Sequence, residues 1–182
     1  EMRSGLAEML KHGLIYDKNY WEQFLDLSQI DFADFDALVY RSIEIKNEIV
    51  KQDPTENGIR KALNFGHTLG HGIESHFLNS ETPLLHGEAI AIGMILESYI
   101  SKEKGLLSNE EYQQIKYIIT NIYEKLTFND DDIVSIQNLL IHDKKNEYGK
   151  VQFALINGIG KIIINQLVEN ELIINSFKEY NS

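Results

Sequence analysis

The sequence contains no cysteine, which removes a disulfide framework, a thiolate nucleophile and any zinc site built on sulfur. Proline is nearly as scarce: the two present, Pro54 and Pro83, both fall between periodic segments. No run approaches about 18 unbroken apolar residues, so no transmembrane helix and no membrane partner are expected. Basic residues are outnumbered, 17 against 28 acidic ones, for a net charge of −11. A chain of that sign is not a bulk electrostatic binder of nucleic acid. No basic-then-apolar leader opens the chain, and a cytoplasmic protein is the expectation. What is present is a length of 182 residues and a hydrophobic fraction of 43%, enough for one domain with a real core.

The chain opens Glu1-Met2-Arg3, and an apolar helical period is already running at Leu6 with no cap ahead of it. This reads as a cut in or just before a helix of a longer protein. Leu6, Met9, Leu10 and Leu14 predict a helix over 4–15. The segment from Tyr20 to Leu25 predicts a short second one. Phe35, Leu38, Val39, Ile43, Ile45, Ile49 and Val50 predict a long third helix, stopping before Pro54. Turn-forming residues make 53–58 a loop. Leu63, Leu69 and Ile73 then predict a single helix over 59–76. The segment 86–100 is rich in Ala, Ile, Met and Leu, with Gly87 and Gly93, and so apolar a helix is expected to be central and buried. Two more helices are predicted over 112–126 and 131–140. The period then changes to two: Val151, Phe153 and Leu155 alternate, a turn follows at 157–160, and Ile162, Ile163 and Ile164 complete a β-hairpin. A last short helix covers 172–180. The expected fold is mainly α, a multi-helix domain over 1–182 with a small β-hairpin near its C-terminus.

The chemistry concentrates in one stretch. Four of the six histidines, His67, His71, His76 and His86, lie within twenty residues of one another. His67 and His71 are spaced i, i+4, which puts two imidazoles on one helical face and suits a shared Zn²⁺. The same spacing is met in helices with no metal. Gly66 and Gly70 beside them leave room for a ligand or for a close helix. His86, after a proline-containing loop, can bring a third imidazole to the same place or simply sit in a cap region. His76, near Glu74, reads as a surface residue, and His12 and His142 have no neighbours that argue for a role. Glu8 and Lys11 form an i, i+3 pair, by itself worth a few tenths of a kcal/mol. Glu8, however, lies against the apolar stripe, where a carboxylate needs a cation. Lys46, Arg60, Lys61, Lys144 and Lys145 stand out in an acidic chain as partners for an anion. If 59–76 is one helix, Arg60, Asn64, His67 and His71 share a face about 16 Å long.

These residues also carry a resemblance. The run from Ser4 to Lys11 (Ser-Gly-Leu-Ala-Glu-Met-Leu-Lys) resembles a motif of the 3-dehydroquinate synthase family. So do Lys46 with Val50, Asp53, Glu56, Gly58 and Arg60, and the signature-like run from Leu63 to His71. Leu85-His86-Gly87-Glu88-Ala89 and Asp143-Lys144-Lys145-Asn146 match two further blocks in the same order. The resemblance covers residues 3 to about 165. It implies a two-domain enzyme whose N-terminal α/β domain binds NAD, and this chain is similar to the C-terminal domain alone. No Gly-rich dinucleotide fingerprint occurs here, in agreement.

The resemblance implies that Glu8, His67 and His86 hold zinc, or cobalt in its place, and that His71 contacts substrate; spacing alone favours the His67/His71 pair. It implies catalytic roles for Lys46, Glu56 and His71, and substrate binding by Lys11, Arg60, Asn64 and one of Lys144 and Lys145. The implied reaction converts 3-deoxy-D-arabino-heptulosonate 7-phosphate to 3-dehydroquinate and phosphate, in aromatic amino-acid precursor synthesis. A carbinol carbon is transiently oxidised by NAD, phosphate is eliminated, the hydride returns and the ring closes as a carbocycle. The expected partners are a small anionic sugar phosphate, the chain's own NAD-binding domain and a second copy in a homodimer. The rival readings are a related sugar-phosphate cyclase such as an aminocyclitol-forming synthase, a metal-dependent polyol dehydrogenase, and a non-catalytic zinc-binding helical module.

Overall fold

The computed structural model describes residues 2–26, 32–143 and 151–182. The chain runs through α1 (Met2–Tyr16), α2 (Lys18–Glu22), α3 (Phe32–Gln52), a 3-10 helix (Ile59–Asn64), α4 (His67–Phe77) and α5 (His86–Glu103). It continues with α6 (Asn109–Ile122), α7 (Asp130–Asp143), the strands β1 (Gln152–Ile156) and β2 (Ile162–Leu167), and α8 (Asn170–Asn181). The mainly helical reading with one C-terminal hairpin holds.

Local chemistry sets the boundaries. The Asp17 carboxylate accepts from the Tyr20 backbone N–H at 3.0 Å and starts α2. Ser108 and Glu111 exchange side-chain-to-backbone bonds of 3.1 Å each, a capping box that starts α6 three residues before its first periodic residue. The antiparallel hairpin pairs Leu155 with Ile163 and Ile156 with Ile162, and its register shifts between Phe153 and Leu155. Gly158 and Gly160 turn it with φ of 79° and 86°, values at which glycine carries no Cβ penalty.

The core is organised around α5. Its residues from Gly87 to Ser101 are almost all buried, and it packs against α1, α4, α6, α8 and β1. A helix apolar on every side has no solvent face to offer and takes the central place. The sequence reading of 86–100 as a buried helix is what the structure shows, with His86 as its first residue. The approach of α5 to α4 is close enough to require glycine. A Cβ at Gly93 would run into the Gly66 carbonyl oxygen and come within 2.8 Å of the Gly70 amide nitrogen. Both obstacles are backbone and cannot swing aside. Gly93→Ala is therefore expected to cost about 2 kcal/mol of stability, read as a lowered urea midpoint at unchanged slope.

One expectation fails. Residues 59–76 do not form a continuous helix. The 3-10 turn ends at Asn64, Phe65 is extended with ψ 130°, and Gly66 takes φ 78° before α4 begins. A left-handed residue reverses the local winding and ends a helix. Arg60 and Asn64 therefore do not share a helical face with His67 and His71, and the 16 Å stripe of polar groups does not exist. Periodicity missed this because the apolar spacing of Leu63, Leu69 and Ile73 spans the break unchanged.

Candidate metal and substrate site

Two helix starts and the side of a third helix meet around the histidines. His67 is the first residue of α4 and His86 the first of α5. His71 lies one turn further along α4. Their ring centroids are 5.3 Å (His67–His71), 5.6 Å (His67–His86) and 5.8 Å (His71–His86) apart. One ring nitrogen from each falls within 4.8 Å of the others. Glu8, on α1, brings a carboxylate oxygen to 3.6 Å from His67 Nε2. The three rings thus meet in one place, with the Glu8 carboxylate against His67.

The hydrogen bonds behind the rings decide which nitrogens face inward. His67 Nδ1 lies 3.2 Å from the Phe65 carbonyl oxygen. A carbonyl only accepts, so Nδ1 carries the proton and Nε2 is left as a lone pair. His86 Nδ1 lies 3.0 Å from a Glu74 carboxylate oxygen, an acceptor that places a proton on Nδ1 and backs the ring with negative charge. Burial, then the Lys11 charge, pushes the His67 imidazole down to a pKa of about 4, against the opposing pull of the Phe65 carbonyl and Glu8. It is neutral near pH 7. A bare imidazole lone pair therefore faces a carboxylate oxygen at 3.6 Å, an arrangement that a cation between them would stabilise. Three nitrogens and a carboxylate are the donor set a zinc-like divalent ion takes.

Lys11 sets the state of the carboxylate. It is 2% exposed, and its ammonium donates to both Glu8 oxygens at 2.9 and 2.8 Å. Burial raises the Glu8 pKa, but the Lys11 charge and hydrogen bonds, with His67 behind them, outweigh it and leave the carboxyl below its ordinary range. Burial lowers the Lys11 pKa in turn, and Glu8 opposes that shift. Lys46, exposed on α3, lies near enough for its charge to depress both Lys11 and His12.

A second cluster sits on the 53–58 loop. The Asp53 carboxylate accepts from the backbone N–H groups of Asn57 (3.2 Å), Gly58 (2.7 Å) and Arg60 (3.1 Å). It folds the loop over itself as an extended Asx turn. Glu56 is held there at φ 59°, a left-handed conformation uncommon for a residue with a Cβ. Its carboxylate accepts from Asn64 Nδ2 at 3.1 Å and lies 3.8 Å from Arg60 Nε. Arg60 also donates to the Pro54 carbonyl at 2.9 Å. Glu56, Lys61 and Asn64 line an open cleft of about 220 Å³ against the hairpin.

Lys144 and Lys145 lie outside the described residues. His76, expected at the surface, is instead half-buried against Asp132 at 2.8 Å. His12, without a visible role in the sequence, is 2% exposed and bonded to Ser42 Oγ at 2.7 Å. Sequence reasoning missed Glu74, which backs His86. The signal for Glu74 was its place seven residues after His67, on the face of α4 that carries His67 and His71.

Comparison with known proteins places this geometry in a family. The 3-dehydroquinate synthase C-terminal family matches residues 5–146. The 3-dehydroquinate synthase of Parabacteroides distasonis is 42% identical over 179 residues, 97% of this chain and 51% of that protein. That of Thermodesulfovibrio yellowstonii is 37% identical, over 94% of this chain and 48% of that protein. The chain spans about half the length of the curated relatives it matches. Among solved structures, 2-epi-5-epi-valiolone synthase from Streptomyces hygroscopicus subsp. jinggangensis, with NAD+ and Zn2+ bound, superposes with a TM-score of 0.77 at 23% identity. The match covers 98% of this chain and 51% of that one. A 2-deoxy-scyllo-inosose synthase complexed with carbaglucose-6-phosphate, NAD+ and Co2+ gives 0.75 at 24%, over 97% of this chain and 51% of that one. At these identities the superpositions speak for the fold alone, whereas the family match and the closer sequences speak for descent. The chain belongs to the 3-dehydroquinate synthase family, of which it carries the C-terminal region.

Proposed function

We propose that this chain is the metal- and substrate-binding half of a 3-dehydroquinate synthase, and that it acts with an N-terminal NAD-binding domain. The complete enzyme would convert 3-deoxy-D-arabino-heptulosonate 7-phosphate to 3-dehydroquinate and phosphate. The observation that carries the reading is the convergence of Glu8, His67, His71 and His86, with His67 neutral and Glu8 ionised. Those are the protonation states that metal ligands need.

Glu8, His67 and His86 would hold the zinc ion, and His71 would face the substrate. Bound there, zinc supplies a Lewis acid that lowers the pKa of substrate hydroxyls, and NAD in the other domain supplies the reversible hydride acceptor. The remaining work falls to the chain's own side chains. Lys11 keeps Glu8 ionised and offers a buried cation beside the substrate. Glu74 holds the His86 ring by its Nδ1 proton. Asp53 shapes the loop that presents Glu56, and Glu56 in turn holds Asn64. Arg60, Lys46 and one of Lys144 and Lys145 bind the anionic ends of the substrate, in keeping with a phosphate and a carboxylate on one small molecule.

The test is phosphate release and product analysis with the full-length protein, zinc and NAD. The seven-carbon acid phosphate is one substrate, and a six-carbon sugar phosphate without the carboxylate is the other. Turnover of the second alone would replace the reading with that of another sugar-phosphate cyclase. A residue-level check goes with it. Arg60→Ala is expected to leave zinc content unchanged and to lower kcat/KM at least about tenfold, roughly 1.4 kcal/mol of transition-state stabilisation. Wild-type kinetics in that variant would reduce Arg60 to a structural tie on Pro54.

A further inference from the structure

The start of α4 is capped from another helix. Gly66 occupies its N-cap position and has no side chain to accept the first free N–H groups. A helix normally solves this with a Ser, Thr, Asp or Asn at that position, and often with a Glu at N3 that reaches back to the N-cap N–H. Here both bonds are made by Glu97, 31 and 28 residues away in sequence. Its carboxylate accepts from the Gly66 N–H at 2.7 Å and from the Leu69 N–H, the N3 position, at 3.0 Å. One buried side chain on α5 performs both halves of a capping box for α4.

The placement is demanding. Glu97 is 0% exposed, and a buried carboxylate is costly unless its oxygens are satisfied and its charge is met. The two N–H groups, the positive end of α4 and the Lys11 charge meet it. Glu97 lies one turn beyond Gly93, the residue that lets α5 touch the Gly66 carbonyl, so the glycine contact and the carboxylate act on the same spot. Between the two capped N–H groups sits His67, the first residue of the helix, and His71 follows one turn later. What fixes Gly66 and Leu69 fixes the direction from which His67 enters the site.

We propose that Glu97 is a positioning residue of the metal site: by capping α4 from α5 it holds His67 and His71 at the geometry in which they meet Glu8 and His86. This rests on the metal-binding reading of those four residues. The general reason is that imidazole ligands lose affinity when the groups that orient them are removed, typically by 10–100-fold.

Glu97→Gln is the informative change, because it keeps the shape. An amide has a single acceptor oxygen, and its NH₂ would face one of the two N–H groups. The comparison is Ile115→Ala, which opens a cavity in α6 and destabilises the core without touching the cap. Zinc affinity of the full-length protein is measured by competition with a chelating dye, alongside thermal stability and amide exchange at Gly66 and Leu69. The expected result is zinc binding at least tenfold weaker in Glu97→Gln with faster exchange at both amides. Ile115→Ala, at an equal or larger drop in Tm, should keep zinc affinity within twofold of wild type. Wild-type zinc affinity in Glu97→Gln would overturn the proposal. Equal weakening by Ile115→Ala would also overturn it, by showing that stability alone sets the affinity. A wild-type protein that takes up no zinc would instead overturn the metal reading itself, and this inference with it.

Discussion

His86→Ala is expected to lose zinc, while His71→Ala keeps it and loses catalysis. Both rings are within reach of His67, so distance alone does not rank them, and the i, i+4 spacing on α4 favours His71. The hydrogen bond behind His86 supports it as a ligand. Its Nδ1 is tied to Glu74 at 3.0 Å, which leaves Nε2 for the cluster, the arrangement that accompanies metal-bound imidazole. His67 is common to both readings, and Glu8 faces His67 directly at 3.6 Å. Removing one of three protein ligands costs more than removing an orienting group, so zinc affinity in His86→Ala should fall by more than about 100-fold. With zinc gone, kcat/KM of the full-length enzyme should drop by at least about 10³, equivalent to roughly 4 kcal/mol. His71→Ala should retain one zinc per chain in metal analysis and lose activity through substrate contact only. The reverse pattern, zinc kept in His86→Ala and lost in His71→Ala, would establish the helical pair as the ligands and move His86 into the substrate's surroundings.

The fold was legible where one rule governed a whole segment. Residues 86–100 read as a buried helix because no polar face was available, and the hairpin read correctly because its period and its turn agreed. The clustering of His67, His71 and His86 followed from a short loop returning the chain between two helices. Three things did not follow. The break at Gly66 was hidden because the sequence shows a glycine's permissiveness but not its sign of φ. The partners of the histidines were hidden because Glu74 and Phe65 act through hydrogen bonds set by tertiary packing. The role of Glu97 was hidden because a cap is normally sought within a few residues of the helix it serves, and this one crosses from a neighbouring helix. The side chains that cluster were thus readable by type and spacing, and the groups that hold them were readable only in three dimensions.

The fold also predicts its own sensitivity to acid, and His12 is the clearest source. Its imidazole is 2% exposed, bonded through Nδ1 to Ser42 Oγ at 2.7 Å, with Nε2 buried and without a hydrogen-bond partner among the described residues. Burial, then the Lys11 charge and more weakly Lys46, push its pKa from 6.5 down to about 4, with Glu8 opposing. A base with a depressed folded-state pKa binds its proton more readily when unfolded. Stability from His12 is therefore fully present above pH 6.5, declines as the pH falls through that value, and is lost by about pH 4. At 1.36 kcal/mol per unit, the loss between pH 7.5 and pH 4 is about 3 kcal/mol, a large share of the stability of a domain this size. His67 shifts in the same direction, and the lowered carboxyl of Glu8 adds to the decline as it protonates. Comparing wild type with His12→Gln in the presence of a chelator isolates the one group, since every other titration is shared. Urea midpoints across pH 7.5, 6, 5 and 4 should converge or cross, with the variant losing about 3 kcal/mol less than wild type over the series. Parallel pH profiles in the two proteins would show that His12 takes up its proton in the folded state as readily as in the unfolded one, and that the acid sensitivity lies in the histidines and carboxylate of the metal site.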